Sequence, residues 1–514
     1  NEPYPPLNGC SDPFNGPQAP NGDPEADAAL SVVSHEANES ITDTYNTWID
    51  ANGYEDGDEC SYTYGAPLGS TGVAHPGASG TMYNQTINGA HYFTQDEFSN
   101  TDYLLGQGDV NSTASTRQSP TKVAGCIQRP AATPYHPLSP ARIADTRPGS
   151  GQPDAGRTLA AGQTLTIQVA GTGGVPAGAT AAVLNVTATG PTAAGFLTAY
   201  PTGSTRPMAS TLNFKAGTTV PNLVEVGLGP GGQMSLYNPL GSTDAVVDVE
   251  GWVGAGGAPA GAYNALSPAR IADTRPASGQ PNAGMTMGPG KKVVVQVDGA
   301  GGVPLTGVSA VVLNVTATNT TAFSVLTAYP DGTTLPLASN LNFAPGQTVA
   351  NRVIVPVSAG GKVDLYNAFG SVDAVVDVSG WFTDTSNPSA TGTTFSATGP
   401  TRLADTRPGS GEPDAGMTLG PGGTVRVPVV GTGGVPAGVS AVVVNVTVTN
   451  TTAPSFLSAY PTGQTTPQAS DLNWAPGDTR ANLAIVRPGS DGTITLFNDA
   501  LSVDAIVDVT GYYK

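Results

Sequence analysis

Charge is what this sequence has least of. Only 11% of its 514 residues are Asp, Glu, Lys or Arg, less than half of the quarter usual in globular domains. The polar surface therefore has to come from Thr, Ser, Asn, Gly and backbone. Basic residues are scarcer still, since 20 Lys plus Arg stand against 39 Asp plus Glu, a formal charge of −19. That balance excludes nucleic acid and anionic membrane as partners, because both call for basic patches. Long apolar runs are missing too. The longest pieces resemble Ala182–Val186, far short of the ~18 residues of a membrane span. Asn1-Glu2-Pro3 offers neither the basic nor the apolar region of a secretory signal, which suggests a processed chain or one that begins inside a longer product. Cysteine is rare and odd in number: Cys10, Cys60 and Cys126 allow Cys60–Cys126 or Cys10–Cys60, with one thiol over for a cysteine further upstream. Scarce Lys and rare Cys beside abundant Thr, Gly and Asn suit a secreted bacterial protein, extracellular and associated with the cell surface.

What the chain does have is glycine, proline and repetition. Its 67 Gly and 45 Pro stay below the roughly 25–30% at which aperiodic Gly/Pro chains read as disordered, and no collagen period is present. The segment Ser139–Pro148, with Ala144-Asp-Thr-Arg-Pro148 at its end, returns at Ser267–Pro276 and Gly399–Pro408. Leu184-Asn-Val-Thr187 recurs at Leu313 and Val444, and Asp244-Ala-Val-Val-Asp-Val-Glu-Gly-Trp252 recurs at Asp373–Trp381 and Asp504–Tyr512. A spacing of about 130 residues is far longer than a solenoid or propeller-blade period, so each copy is a complete domain. Alternating runs such as Thr164–Val169 and Val293–Val297, separated by Gly/Pro turns, predict eight or nine strands per copy and no helix. We expect three antiparallel β-sandwiches of jelly-roll type at 137–254, 263–383 and 395–514. Short linkers at Gly254–Gly261 and Thr383–Thr394 predict beads on a semi-flexible string.

Alternation along Asp244–Val249 places Asp244, Val246 and Asp248 on one face and Ala245, Val247 and Val249 on the other. Arg142 and Arg147 are the obvious partners of those carboxylates, as Arg270 and Arg275 are for Asp377 and Arg402 and Arg407 for Asp508. A structural ion pair between the first and last strands is the favoured reading, and a cation or ligand site at the carboxylates is the rival one. Tyr200, Phe214, Tyr237 and Trp252, with their counterparts in the other copies, read mostly as core. The Tyr-Pro positions (Tyr200, Tyr329, Tyr460) are alternatively a stacking platform for sugars. The sequons at Asn185, Asn314 and Asn445 sit mid-strand, where a glycan fits poorly.

The first 130 residues differ. They hold 17 acidic and 3 basic side chains, against 22 and 17 in the remainder. Asp27–Asp43 alone has a helical period, with Leu30, Val33, Ala37 and Ile41 on one face. On that helix His35 and Glu39 project from the same side one turn apart with Glu36 between them, the arrangement of a His-Glu-x-x-His zinc helix with Glu as second ligand. Glu36 would then polarise a metal-bound water as general base. Glu55 is the candidate third ligand, Asp58 would orient a neighbour, and Asp43 competes for either place. One His with two carboxylates is a hard, anionic donor set, which brings calcium and manganese in beside zinc. The remaining histidines, His75, His91 and His136, read as surface residues, His91 also as a cleft-lining one.

Residues ~10–126, through Ser34-His-Glu-x-x-Glu39, Thr42-Asp43, Trp48, Glu55-x-x-Asp-x-Cys60, Tyr83-Asn84, Asn88-Gly89 and Tyr92–Asn100, resemble the C-terminal half of the EXORDIUM-like (phosphate-induced) family and its bacterial secreted relatives. The resemblance implies a zinc metallopeptidase-like segment. Only about 25 residues precede the helix where zincins carry roughly a hundred of supporting sheet, so an inactive remnant or a fragment is the counter-reading. The repeats, through Ala-Asp-Thr-Arg-Pro, Leu-Asn-Val-Thr and Asp-Val-x-Gly-Trp, resemble a module found in tandem in secreted actinobacterial proteins. The expected whole is mainly β: a small, incomplete α+β zincin-like segment followed by three sandwiches. Three functions follow: a metallopeptidase-like segment acting on peptide and tethered to a surface polymer; a structural or adhesive subunit that self-assembles; or carbohydrate and cell-wall binding by the repeats.

Overall fold

The computed structural model describes residues 134–254, 261–384 and 392–514 and, ahead of them, the backbone of six short strands. The chain divides into two compact units, Asn1–Thr133 and Pro134–Lys514. In the first, β1 (Gly69–Ser70) pairs with β2 (Met82–Tyr83), β3 (Gln85–Ile87) with β4 (Ala90–Tyr92), and β5 (Glu97–Phe98) with β6 (Cys126–Ile127). The helix expected over Asp27–Asp43 lies outside the described residues.

Each repeat of the second unit has eight strands. In the first they are β7 (Tyr135–Asp145), β8 (Gln163–Gln168), β9 (Ala181–Thr189), β10 (Gly195–Pro201), β11 (Leu212–Phe214), β12 (Val220–Gly227), β13 (Gln233–Asn238) and β14 (Asp244–Val253). They form two antiparallel sheets of order β12-β9-β14-β7 and β11-β10-β13-β8. Numbered within the repeat, these orders are 6-3-8-1 and 5-4-7-2, the interleaving of a jelly roll. The second repeat runs from β15 (Tyr263–Asp273) to β22 (Asp373–Thr383), the third from β23 (Phe395–Asp405) to β30 (Asp504–Tyr513), both with the same two orders. The result is six four-stranded sheets, the number in a six-bladed propeller. Propeller blades, however, are meanders of consecutive strands, whereas these sheets come in interleaved pairs, each pair closing over its own core.

The outer sheets show the expected alternation. In β8, Leu165 and Ile167 are buried while Thr164, Thr166 and Gln168 face out, the period of two of a half-buried strand. The inner sheets do not. Every residue of β9 except Thr189 is buried, because both faces of the strand are covered. Ala182, Leu184, Val186 and Ala188 enter the core of the first repeat. Ala181 and Val183, pointing the other way, enter a fourth core shared by all three repeats.

That fourth core corrects the picture of beads on a string. It gathers Tyr135, Leu223 and Val253 from the first repeat, Tyr263, Ile354 and Phe382 from the second, and Phe395, Leu483 and Tyr513 from the third. Tyr135 lies against Phe382, and Tyr263 against Tyr513, each with ring centroids 4.3 Å apart. Gly251, Gly380 and Gly511 face these aromatics so closely that a Cβ would strike the ring of Tyr135, Tyr263 or Phe395. Strand entry is also shared: Tyr135 exchanges backbone hydrogen bonds with Gly261 at 3.0 and 2.8 Å, and Tyr263 does so with Thr393 at 2.8 and 3.0 Å. Sequence could not reveal this, since a strand buried on both faces reads like any apolar run.

Candidate functional site: the repeat junctions

The recurrent Ala-Asp-Thr-Arg-Pro segment closes the edge of each inner sheet. Arg142 donates to both carboxylate oxygens of Asp248, at 2.8 and 3.1 Å. Arg270 binds Asp377 at 2.9 and 3.2 Å, and Arg402 binds Asp508 at 2.6 and 3.2 Å. These bidentate pairs join β7 to β14 and their counterparts. Arg147 goes elsewhere: its guanidinium folds back on Asp145, two residues earlier, at 2.9 and 2.6 Å. Arg275 with Asp273 and Arg407 with Asp405 repeat the arrangement. Burial raises the Asp145 carboxyl, but the hydrogen bonds and charge of Arg147 outweigh it and leave the group below its ordinary value. At Asp248 burial wins, and the carboxyl sits above its ordinary value despite Arg142.

The sequon asparagines are interface clamps. Asn185 donates to the Ser339 carbonyl of the second repeat at 2.6 Å and accepts from Asn351 at 2.9 Å, while Asn351 accepts from the Leu223 backbone amide at 3.2 Å. Asn314 and Asn482 repeat this between the second and third repeats, with Ser470 as acceptor. Asn445 and Asn222 close the ring from the third repeat to the first, on Ser210. All six asparagines are buried, so a glycan at the sequons is excluded sterically.

Each junction also buries charged side chains of its own. Between the first and second repeats, Glu250 accepts from Asn340 at 2.6 Å and from the Ile354 amide at 3.2 Å. Between the second and third, Arg352 pairs with Asp471 and donates to Ser379 at 2.9 Å. Between the third and first, Glu225 accepts from the Tyr513 hydroxyl at 2.7 Å, and its other oxygen has no partner. Burial pushes Glu225 and Glu250 each up to about 8. None of these groups was singled out from sequence. The available signal was a lone acid inside an apolar strand, as in Val224-Glu-Val226 and Val249-Glu-Gly251.

Outside the clamps, the junctions open into clefts. The cleft between the first and second repeats has about 290 Å³ and is bordered by Arg142, Thr187, Thr189 and Thr219 on one side and Leu335, Leu337, Asn342 and Tyr366 on the other. Its counterpart between the second and third repeats has about 180 Å³, with Arg270, Thr316, Thr318 and Thr348 facing Phe456 and Asn473. One wall is hydroxyl-rich and the other, in the first cleft above all, apolar. The basic groups there are already paired, so the clefts suit a neutral guest.

Other expectations fare differently. Tyr200, Tyr329 and Tyr460 are buried, which removes the Tyr-Pro stacking platform. His136 is buried as well, stacked on Trp252 at 3.7 Å with Nε2 against the Gly254 carbonyl. His35, Glu36, Glu39, Asp43, Glu55, Asp58, Cys10 and Cys60 lie outside the described residues, as do the side chains of Cys126 and His91.

No known protein family matches the chain, and no curated protein does. The resemblances to the EXORDIUM-like family and to an actinobacterial tandem module are thereby overturned. Among solved structures, a chain reported with the triple jelly roll fold and turret assembly of an archaeal virus is 10% identical over 74% of this chain and 90% of that one, with a TM-score of 0.15. A chain from the atomic structure of Sulfolobus Turreted Icosahedral Virus is also 10% identical, over 69% and 84%, with a TM-score of 0.14. Likeness at that level assigns no activity to this chain.

Proposed function

We propose that residues 134–514 act as a rigid extracellular anchor that holds the acidic segment 1–133 at a surface polymer. The observation that carries this reading is the core shared by all three repeats, ringed by the cyclic asparagine clamps. It turns three modules into one body with several similar faces, and such a body binds a repeating polymer multivalently. The test is cosedimentation of the full chain with insoluble cell-wall and polysaccharide particles. Retention that soluble fragments of the same polymer compete away is expected; no retention on any of them refutes the anchor. A second reading, self-assembly, is favoured by the exposed rings of Phe323 and Phe369 on loops held together by a 2.8 Å hydrogen bond from the Phe369 amide to Ser324. Sedimentation equilibrium of wild type and Phe323→Ser/Phe369→Ser decides it, and a monomer at every concentration rules it out.

A further inference from the structure

Three seams hold the ring, and they are not equally secured. The first and second repeats are also joined along the chain by residues 255–260, and the second and third by residues 385–391. The third and first meet only through space. At the first two seams an arginine of the edge strand reaches across: Arg142 donates to the Leu337 carbonyl at 3.4 Å and Arg270 to the Gln468 carbonyl at 3.2 Å. Arg402, their counterpart, turns instead to Asp405 of its own repeat, at 3.2 Å. The backbone bonds of Tyr135 with Gly261 and of Tyr263 with Thr393 secure the same two seams. Among the described residues Phe395, the equivalent of those tyrosines, makes no backbone bond to the first repeat. The rim of the third seam adds the pair of Lys215 with Asp478, 2.8 Å apart with the lysine half exposed, and such pairs contribute little. The partnerless hydroxyls of Thr187, Thr316 and Thr447 recur in all three repeats, sealed within them, and do not set one seam apart.

The buried acids differ in the same sense. Glu250, in the first seam, has a donor for each carboxylate oxygen, the Asn340 side chain and the Ile354 backbone amide. Glu225, in the third, has the Tyr513 hydroxyl on one oxygen and no partner on the other. An ion at Glu225 would be held by one hydrogen bond in a dry seam, a cost relieved when the faces part and water reaches it. We infer that the ring opens transiently at the seam between the third and first repeats while the other two stay shut, and that ionisation of Glu225 drives the opening. The other titratable groups around Glu225 are the hydroxyls of Tyr513, Tyr135 and Tyr263, all held above their ordinary values by burial. Glu250 acts on Tyr135 from the first seam, and Asp508, which lines the same small void as Glu225, is bound by Arg402 at 2.6 and 3.2 Å. With its carboxyl at about 8 in the closed ring and back at its ordinary value in the open one, Glu225 releases a proton on opening. The opening constant therefore rises about tenfold per pH unit between those two values and is flat outside them. The device is independent of what the ring binds.

Each seam carries a backbone reporter of its own. The Leu223 amide donates across the first seam to Asn351 at 3.2 Å, the Arg352 amide across the second to Asn482 at 3.0 Å, and the Leu483 amide across the third to Asn222 at 3.1 Å. Hydrogen–deuterium exchange of these three amides in the full chain, corrected for the chemical rate at each pH, reads the opening of each seam separately. Between about pH 5.5 and about pH 7.5 protection at Leu483 should fall about hundredfold, while Leu223 and Arg352 change less than about threefold. Glu225→Gln should abolish the fall at Leu483. Glu225→Ile, which installs the residue found at the equivalent positions 354 and 485, should do the same, and Glu250→Gln should leave the fall in place. Thermal melts show whether each variant is folded, and the comparison of the three amides in the wild type stands without any variant. Equal loss of protection at all three amides, a Leu483 amide indifferent to pH, or the same fall in a folded Glu225 variant overturns the inference.

Discussion

Glu225 makes the stability of the junctions depend on pH in a direction opposite to ordinary acid denaturation. Burial raises its carboxyl from 4.5 to about 8, so the folded protein keeps a proton that the unfolded chain releases above its ordinary value. Between those two values the native state binds more protons, and stability must fall as pH rises. The contribution is fully retained below about pH 4.5 and lost as pH climbs through about 8. At 1.36 kcal/mol per unit, moving from about pH 5 to about pH 8 costs about 3 kcal/mol at this one group. Glu250 acts with the same sign. Glu225→Gln retains an acceptor for Tyr513 and cannot titrate, and so isolates the effect. Urea unfolding of the full chain at both pH values gives the difference directly. Wild type should lose about 3 kcal/mol more than the variant on going to the higher pH, with the two nearly equal at the lower. The same pH slope in both proteins would refute the buried-acid reasoning.

Further outcomes follow from the junctions. Arg352→Leu leaves Asp471 buried without its partner and should cost about 3–5 kcal/mol in urea unfolding. Adding Asp471→Asn, the residue found at the equivalent Asn340, should recover most of that. Gly380→Ala forces the Tyr263 ring out of the shared core and should lower the thermal midpoint, while Gly149→Ala, which meets only open space, should cost less. Asn445→Ala removes donors to Ser210 and an acceptor for Asn222, and about 2–4 kcal/mol should be lost at one junction. Thr187→Val should leave stability of the unliganded protein unchanged or raise it, and a loss above about 1 kcal/mol would show that the hydroxyl has a partner.

The repeats were legible because strand alternation and turn chemistry are local. Leu165 and Ile167 alternate with Thr, and Asp154, Asn282 and Asp414 take the left-handed conformation at equivalent turns, with φ of 64°, 67° and 66°. The pairing of Arg142 with Asp248 is readable from matching positions on the first and last strands. Arg147 is harder, because nothing in spacing distinguishes a guanidinium that turns back two residues from one that reaches across a sheet. The junctions were opaque for a different reason. Asn185 reads as a sequon and Thr187 as ordinary strand filling until the neighbouring repeat is in place. A short Gly-rich linker fits flexible and docked domains equally well. The departures among copies, Glu225 where the others have Ile354 and Ile485, or Arg352 where they have Leu223 and Leu483, were the one local hint that these faces are not solvent.

Those departures give the ring a combination lock. Three near-copies of one sandwich could trade places between molecules, as repeat proteins are prone to do. Suppose the second repeat of another chain replaced the third at the seam with the first. Phe382 would then stand where Tyr513 stands, and the buried oxygen of Glu225 would lose its hydroxyl donor. Arg352, in place of Leu483, would arrive in that seam without Asp471 on the facing side, where Thr211 holds the equivalent position. That mispairing therefore strands a charge and a polar atom in a dry seam, and only a third repeat closes the circle onto the first.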